Sequence, residues 1–318
     1  MQNYQSRSER HLKHSNNFNR YWLLAIVVLV LIALVAFFRR PYRQSKSLSY
    51  TVNQTATVKE DANLYKSLSA RVRTSRANNA SGTVKKYYLL TRDKKQVTYA
   101  KVKLGGKTYY VNAKNLNLTM TNPVNRYVAQ LGYPHAKITK RIYHKFNHKS
   151  YATASGKPRG VVVHDTGTDY STLNGEASYM EENYKTEEVF VHTFVDSNEI
   201  RNIASLKYMA EGAGPKANPY FVQFEMIRET SARGFAKQLA NAAYYTAYIL
   251  KKYDLPVTKG TKSGSGTVWT HNMVSNYLGG TDHVDPNAYW RRDARRYFGT
   301  TYTIDDFIKL VQAYYNQI

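Results

Sequence analysis

The sequence contains no cysteine. Disulfides and thiolate metal sites are excluded, so any metal must sit on His, Asp or Glu. It also has no glycine-rich phosphate loop, which argues against a nucleotide binder. Acids are scarce: 22 Asp and Glu stand against 46 Lys and Arg, a formal net charge of +24. The excess is unevenly spread. Residues 1–46 carry +7, residues 47–121 carry +11, and the remaining 197 residues only +6. Short segments so charged seek a polyanion, whether nucleic acid, anionic lipid or an anionic wall polymer; otherwise they form a solvated basic surface with no dedicated partner.

The chain has one long hydrophobic run. Eighteen uncharged residues, 21–38, lie between Arg20 and Arg39. As a helix they would span roughly 27 Å, near the thickness of a hydrocarbon core. Tyr21 and Trp22 stand where an interfacial belt would lie. Arg39 and Arg40 close the run, and Leu34 would occupy a position that a signal-peptide cut wants small. The expectation is an uncleaved transmembrane anchor over 21–38, with a cytoplasmic basic tail at 1–20 and a basic linker at 39–46. Charge does not orient it, since four Lys or Arg precede the run and four follow it.

Residues 47–121 read as short β segments. Lys85 to Leu90, Val97 to Leu104 and Lys107 to Val111 favour strands, and Gly105-Gly106 between the last two is a hairpin signal. A small β-barrel closes such strands naturally. Residues 122–159 form a connector with a helix near Val124 to Leu131. From Gly160 onward β and α alternate. Strands are expected at Val161 to Val163, Val189 to Asp196 and Tyr220 to Ile227. A helix is expected over Phe235 to Tyr253, with Phe235, Leu239, Ala242, Thr246, Ile249 and Tyr253 on one side. Another runs from Ile304 to Tyr315, begun by the capping-box pair Thr303 and Asp306. The fold class is α/β, a mixed central sheet flanked by helices.

Chemistry concentrates on a few side chains. His164 ends a strand in Gly160-Val-Val-Val-His-Asp-Thr166, and strand ends hold reactive groups rigidly beside an open loop. His271 follows Thr267-Val-Trp-Thr270. His283 and Asp285 lie two apart in Gly279-Gly-Thr-Asp-His-Val-Asp-Pro286, so an extended segment points them the same way. Two His and one carboxylate with an open fourth position form a hydrolytic zinc arrangement. The spacing is not the compact His-Glu-x-x-His type, and a strand-end histidine can equally be a hydrogen-bonded structural residue.

Residues 158–298 resemble the N-acetylmuramoyl-L-alanine amidase type 2 family, and most of all the amidase domain of staphylococcal bifunctional autolysins. The matching stretches are Val161-Val-Val-His-Asp-Thr166, Phe190-Val-His-Thr-Phe-Val-Asp196, Gly212-Ala-Gly214, Phe221-Val-Gln-Phe-Glu225, Gly266-Thr-Val-Trp-Thr-His271 and Val274-Ser-Asn-Tyr-Leu-Gly-Gly-Thr-Asp-His-Val-Asp-Pro286. The resemblance implies a peptidoglycan-recognition-like α/β fold over 122–318. It implies Zn2+ held by His164, His271 and Asp285, with Glu225 as general base and His283 stabilising the oxyanion. His192 and Thr166 become candidate substrate contacts. Glu211 stands where those domains carry Trp, a third candidate contact with altered preference. The segment Tyr99 to Leu116 resembles the end of a GW-type bacterial SH3-like module, with Tyr109-Tyr110 in place of Gly-Trp. That implies binding of teichoic or lipoteichoic acid by residues 47–121, or a mere spacer.

The implied reaction is hydrolysis of the amide between N-acetylmuramic acid and L-alanine of the stem peptide, in wall turnover or cell separation. Such a substrate places the catalytic domain outside the cell, on a single-pass membrane protein with its N-terminus in, and with no nucleic-acid partner. The alternative is a non-catalytic membrane protein that binds peptidoglycan or teichoic acid.

Overall fold

The computed structural model describes residues 21–33, 48–70, 72–92 and 95–318. Residues 21–33 form a helix, α1, exposed along its length. Among the described residues no helix is long and apolar enough to cross a membrane. The transmembrane anchor expected over 21–38 is corrected accordingly: the run is apolar, but no described helix is long and apolar enough to span a membrane. The expected basic tail at 1–20 and linker at 39–46 lie outside the described residues.

The next unit is an antiparallel sheet ordered β6-β5-β4-β1-β7. Its strands are β1 (Leu48–Val58), β4 (Ser81–Arg92), β5 (Lys95–Leu104), β6 (Lys107–Asn112) and β7 (Leu116–Leu118). The short pair β2 (Asn63–Leu64) and β3 (Ser75–Arg76) lies beside it. A bridge from Tyr65 to Tyr110 ties the chain after β2 to β6. Gly105 and Gly106 turn β5 into β6 with φ of 50° and 79°, the left-handed conformation that two-residue hairpin loops demand.

After helix α2 (Pro123–Gln130) comes the mixed sheet, ordered β13-β9-β12-β10-β11-β8. Its strands are β8 (Ile138–Lys140), β9 (Gly160–Asp165), β10 (Thr193–Val195), β11 (Ile200–Asn202), β12 (Phe221–Met226) and β13 (Val268–Thr270). β9, β10, β12 and β13 run parallel; β11 turns back against β10, and β8 follows β11.

Side-chain parity then divides the sheet. Val161, Val163, Val222 and Phe224 share a core with helix α4 (Ala232–Lys252) and helix α7 (Ile304–Gln317). Their alternates, Val162 and Phe221, pack in a second cluster on the other face with Trp269 and Val274. The predicted stripe of α4 is buried from Phe235 to Ile249, with Tyr253 half-buried at the C-cap. Burial extends beyond the stripe to residues such as Gln238, Asn241 and Tyr245, and Thr246 donates to the Ala242 carbonyl at 2.8 Å. Asp306 accepts from the Thr303 backbone N–H at 3.0 Å and starts α7 as expected.

Three helices carried no stripe in the sequence. Helix α3 (Leu173–Glu187) buries only Leu173 and Ala177. Helices α5 (His271–Tyr277) and α6 (Asn287–Phe298) follow β13.

The two sheets are joined by one continuous core. It runs from Tyr50, Val84 and Tyr87 through to Leu310, Val311 and Tyr314 of α7. At this junction the Tyr50 hydroxyl donates to Gln312 at 2.8 Å, and Asn316 donates to the Tyr87 hydroxyl at 3.3 Å.

Candidate metal centre and cleft

The face of the mixed sheet turned away from α4 carries the polar residues. His164, near the end of β9, is the register partner of Glu225 near the end of β12. Paired residues on parallel strands project to the same face, so the sheet sets the two side by side. Next to β9, strand β13 ends at Thr270, whose hydroxyl accepts from the Met273 N–H at 3.2 Å and caps α5. The cap fixes His271 at the first helical position. The loop after α5 brings back Asp285. Ser275 holds that loop by donating to the His283 carbonyl at 2.7 Å. Gly214 lies against its far side with φ 77°, where a Cβ would come within 2.8 Å of the Gly280 carbonyl oxygen. The Gly212-Ala-Gly214 stretch is thus a backbone seat for the loop that carries Asp285.

His164, His271 and Asp285 converge. His164 Nδ1 and His271 Nδ1 are 2.9 Å apart; Asp285 lies 3.1 Å from His271 Nδ1 and 3.5 Å from His164 Nδ1. Ligands at ~2.0–2.1 Å from a tetrahedral ion stand about 3.3 Å from one another. The three separations bracket that value, so the donor set fits a divalent cation with a nitrogen and oxygen preference. His271 Nε2 lies 3.1 Å from the Thr281 hydroxyl, the outer contact that orients a ligating imidazole. The buried His164 Nε2 has no such partner. Burial pushes the His164 imidazole down to about 4, so it stays neutral with a free lone pair. Burial pulls the Asp285 carboxyl up, but its contacts with His164 and His271 outweigh this and hold it well below the usual carboxylate range.

The triad opens onto a cleft of about 510 Å³, whose walls include Thr166, Glu225, Arg228, His283 and Asp285. Burial, reinforced by the Asp285 and Asp165 carboxylates, raises the Glu225 carboxyl far above its ordinary range. Its Oε2 is buried without a hydrogen-bond partner. His283 stands at the open side, 62 % exposed, with its Nδ1 3.5 Å from Asp285 and its ring stacked on His271. Thr166 lines the cleft with a buried, unpartnered hydroxyl.

Two expected substrate contacts are not brought there. His192 is wholly buried: its Nδ1 accepts from the Gln223 N–H at 3.0 Å, and its Nε2 lies 2.9 Å from the Tyr208 carbonyl. With both ring nitrogens engaged, it is a core histidine. Glu211 is turned to Lys149, 2.7 Å away, and does not line the cleft.

Other residues join the site that the sequence reading passed over. Asp165 donates its backbone N–H to Asp285 at 3.3 Å, and its carboxylate takes Arg228 Nε at 2.6 Å. Arg228 reaches on to Asp169, which also accepts from Arg292 through both oxygens. Asp165 directly follows His164 and Arg228 lies three residues after Glu225, so adjacency was the available signal. The pairing itself joins positions 63 apart and leaves no trace in the sequence.

Residues 154–288 match the N-acetylmuramoyl-L-alanine amidase family. The chain is 39% identical over 195 residues to Protein Ami of Listeria monocytogenes, covering 61% of this chain and 21% of that protein. It is 40% identical over 172 residues to the bifunctional autolysin of Staphylococcus aureus, covering 54% of this chain and 14% of that one. The chain thus spans about a fifth of one relative's length and about a seventh of the other's. The crystal structure of Staphylococcus aureus hydrolase AmiA in complex with its ligand superposes with a TM-score of 0.56 at 37% identity, over 63% of this chain and 95% of that one. The family model's match takes in the residues that build the cleft, and the superposition covers 95% of that hydrolase chain at 37% identity: the chain belongs to the N-acetylmuramoyl-L-alanine amidase family.

Proposed function

We propose that the chain is a peptidoglycan hydrolase that cleaves the amide between N-acetylmuramic acid and the first L-alanine of the stem peptide. The observation that carries this reading is the tetrahedral spacing of His164, His271 and Asp285 beside an unpartnered Glu225. Those three residues would hold Zn2+. When bound, zinc polarises the scissile carbonyl and makes water acidic enough to lose its proton near neutral pH.

The chain's own groups do the rest. Glu225 accepts a proton from the attacking water and returns it to the leaving amine. Next to a dication its carboxyl ionises more readily than burial alone allows. His283 donates a hydrogen bond to the oxygen that gains charge. Thr166 offers a hydroxyl to the substrate from the cleft wall. The Asp165–Arg228 pair steadies Asp285 through the Asp165 backbone.

The substrate places the work outside the cytoplasm, at the wall, in turnover or cell separation. Residues 47–121 are proposed as an SH3-like module, packed against the amidase domain at 122–318, that grips an anionic wall polymer such as teichoic acid. The +11 charge of that segment supports the reading.

Purified protein incubated with peptidoglycan is expected to release new N-terminal L-alanine, and chelator is expected to stop it. Binding without release by zinc-loaded protein would establish the non-catalytic alternative instead.

A further inference from the structure

A second, larger cleft of about 630 Å³ lies away from the metal triad and shares no lining residue with the first. Lys140 and Asn202 end β8 and β11, which run opposite to β9, while Lys157 and Pro158 precede the first residue of β9. These residues place the groove at the end of the sheet opposite His164.

Its chemistry is one-sided. Lys140, Lys157, Lys207, Lys252, His144 and His148 line it, and no Asp or Glu does. Among the described residues none of the four lysines has a carboxylate within ion-pair distance. Elsewhere on this domain lysines do find acids: Lys149 pairs with Glu211 and Lys259 with Asp305. Asp254, the acid nearest Lys252 in sequence, is taken by Gln96 of β5. Gathering like charges in a concave, low-dielectric wall raises the potential there and concentrates counter-ions. The groove is arranged to be neutralised from outside.

We propose that this groove binds an anionic strand of phosphodiester-linked, hydroxyl-rich units. Its cations are lysines, compact point charges of a kind that binds phosphate. Ser205 and Tyr248 line the same groove and supply hydroxyl groups for a polyol backbone. A nucleic acid would want open aromatic faces for its bases. The Tyr208 ring is already stacked by His148, with centroids 4.5 Å apart and planes 19° off parallel. Lys252 and Tyr253 line the groove, and their chain neighbours meet the first sheet: Lys251 donates to Thr98 at 3.0 Å and Asp254 accepts from Gln96. The groove therefore borders the segment of highest charge, and a strand can run from one to the other.

The test is equilibrium binding of the full chain to a poly(glycerol phosphate) oligomer across a range of salt. The triple variant Lys140→Gln, Lys157→Gln, Lys207→Gln is expected to bind at least about tenfold more weakly, with a salt slope shallower by ~2. A control triple at exposed Lys185, Lys216 and Lys262 removes the same charge elsewhere and is expected to change affinity far less. Hydrolysis of a soluble, uncharged muropeptide should be equal in both triples. An unchanged groove triple, or equal losses in the two triples, overturns the proposal. So does equal binding of single-stranded DNA or polyglutamate matched in charge.

Discussion

Glu225 and His164 are register partners on neighbouring parallel strands, on the face of the sheet turned away from α4. This one pairing sets a carboxyl beside an imidazole in a site that burial would leave uncharged in both. The buried Glu225 Oε2 has no partner of its own, so the fold bears the carboxyl for a purpose other than stability. Glu225→Gln is expected to keep the metal and lower kcat by about 10²- to 10⁴-fold. The stability effect has the opposite direction. A carboxyl whose folded pKa is raised loses stability as pH climbs from ~4.5 through the folded value. Metal-free Glu225→Gln should therefore melt no lower, and above neutral pH higher, than the metal-free parent. A variant that melts lower at pH 7 would show the carboxyl to be structural.

Zinc is expected to stabilise the folded chain by mass action, about 2.7 kcal/mol at a hundred times its Kd. Asp285→Asn keeps the shape but removes the charge that faces His164 and His271. Calorimetry with and without added zinc should show a rise in Tm for the parent and little or none for the variant. Equal rises would move the metal elsewhere.

Sequence and structure agree where chemistry is written in order along the chain. His164, His271 and Asp285 stand in successive stretches that resemble one family, and the fold brings them together. Val161 to Val163 follow from their unbroken apolar run, and the α4 stripe from its period. What failed was what depends on partners. His192 sits in such a stretch too, yet Gln223 and Tyr208 hold both of its nitrogens, and a held histidine reads the same as a free one. Glu211 reads as a groove residue until Lys149, 62 positions away, claims it. Helix α3 hid because two buried residues make no stripe. The run at 21–38 shows its apolarity in the sequence, yet no described helix is long and apolar enough to cross a membrane.

His192 offers a pH test of the core. Burial lowers it to about 4 in the folded state. Its contribution is therefore fully present above pH 6.5 and is lost as pH falls through the window down to about 4. The loss is about 3 kcal/mol for a shift of that size. His192→Gln should cost ~1–3 kcal/mol at pH 7 through broken hydrogen bonds. Its stability should then fall less steeply between pH 6.5 and 4 than the parent's. Turnover of a soluble substrate at 25 °C should be near the parent's. A large loss of turnover with unchanged stability would return His192 to the cleft.

Arg228 spans Asp165 and Asp169 with one guanidinium, and Asp165 in turn donates to Asp285. A lysine cannot serve both acids. Arg228→Lys is expected to weaken zinc binding about 10- to 100-fold, the usual cost of loosening an outer partner of a metal site. Arg292→Lys, one step further out, should change it much less. Competition against a chromophoric chelator measures both, and equal affinities in parent and Arg228→Lys would discard the link.

The shared core predicts that the two sheets unfold together. Tyr50 donates to Gln312 across the junction, and Lys251 donates to Thr98 beneath the Tyr315 ring. Tyr50→Phe leaves the Gln312 oxygen without its donor, at a cost of about 1–3 kcal/mol. Calorimetry should show one transition in the parent and one, at lower temperature, in the variant. Two transitions, with only the first moved, would make the β unit independent. Lys251 adds a signature in pH. Burial lowers its ammonium to about 8 in the folded chain. Above that value the unfolded chain holds a proton that the folded one has released, so stability rises with pH. Lys251→Met should flatten the rise between pH 8 and 9.5, below the range where tyrosines ionise. A rise that persists in the variant would place the responsible proton on another group.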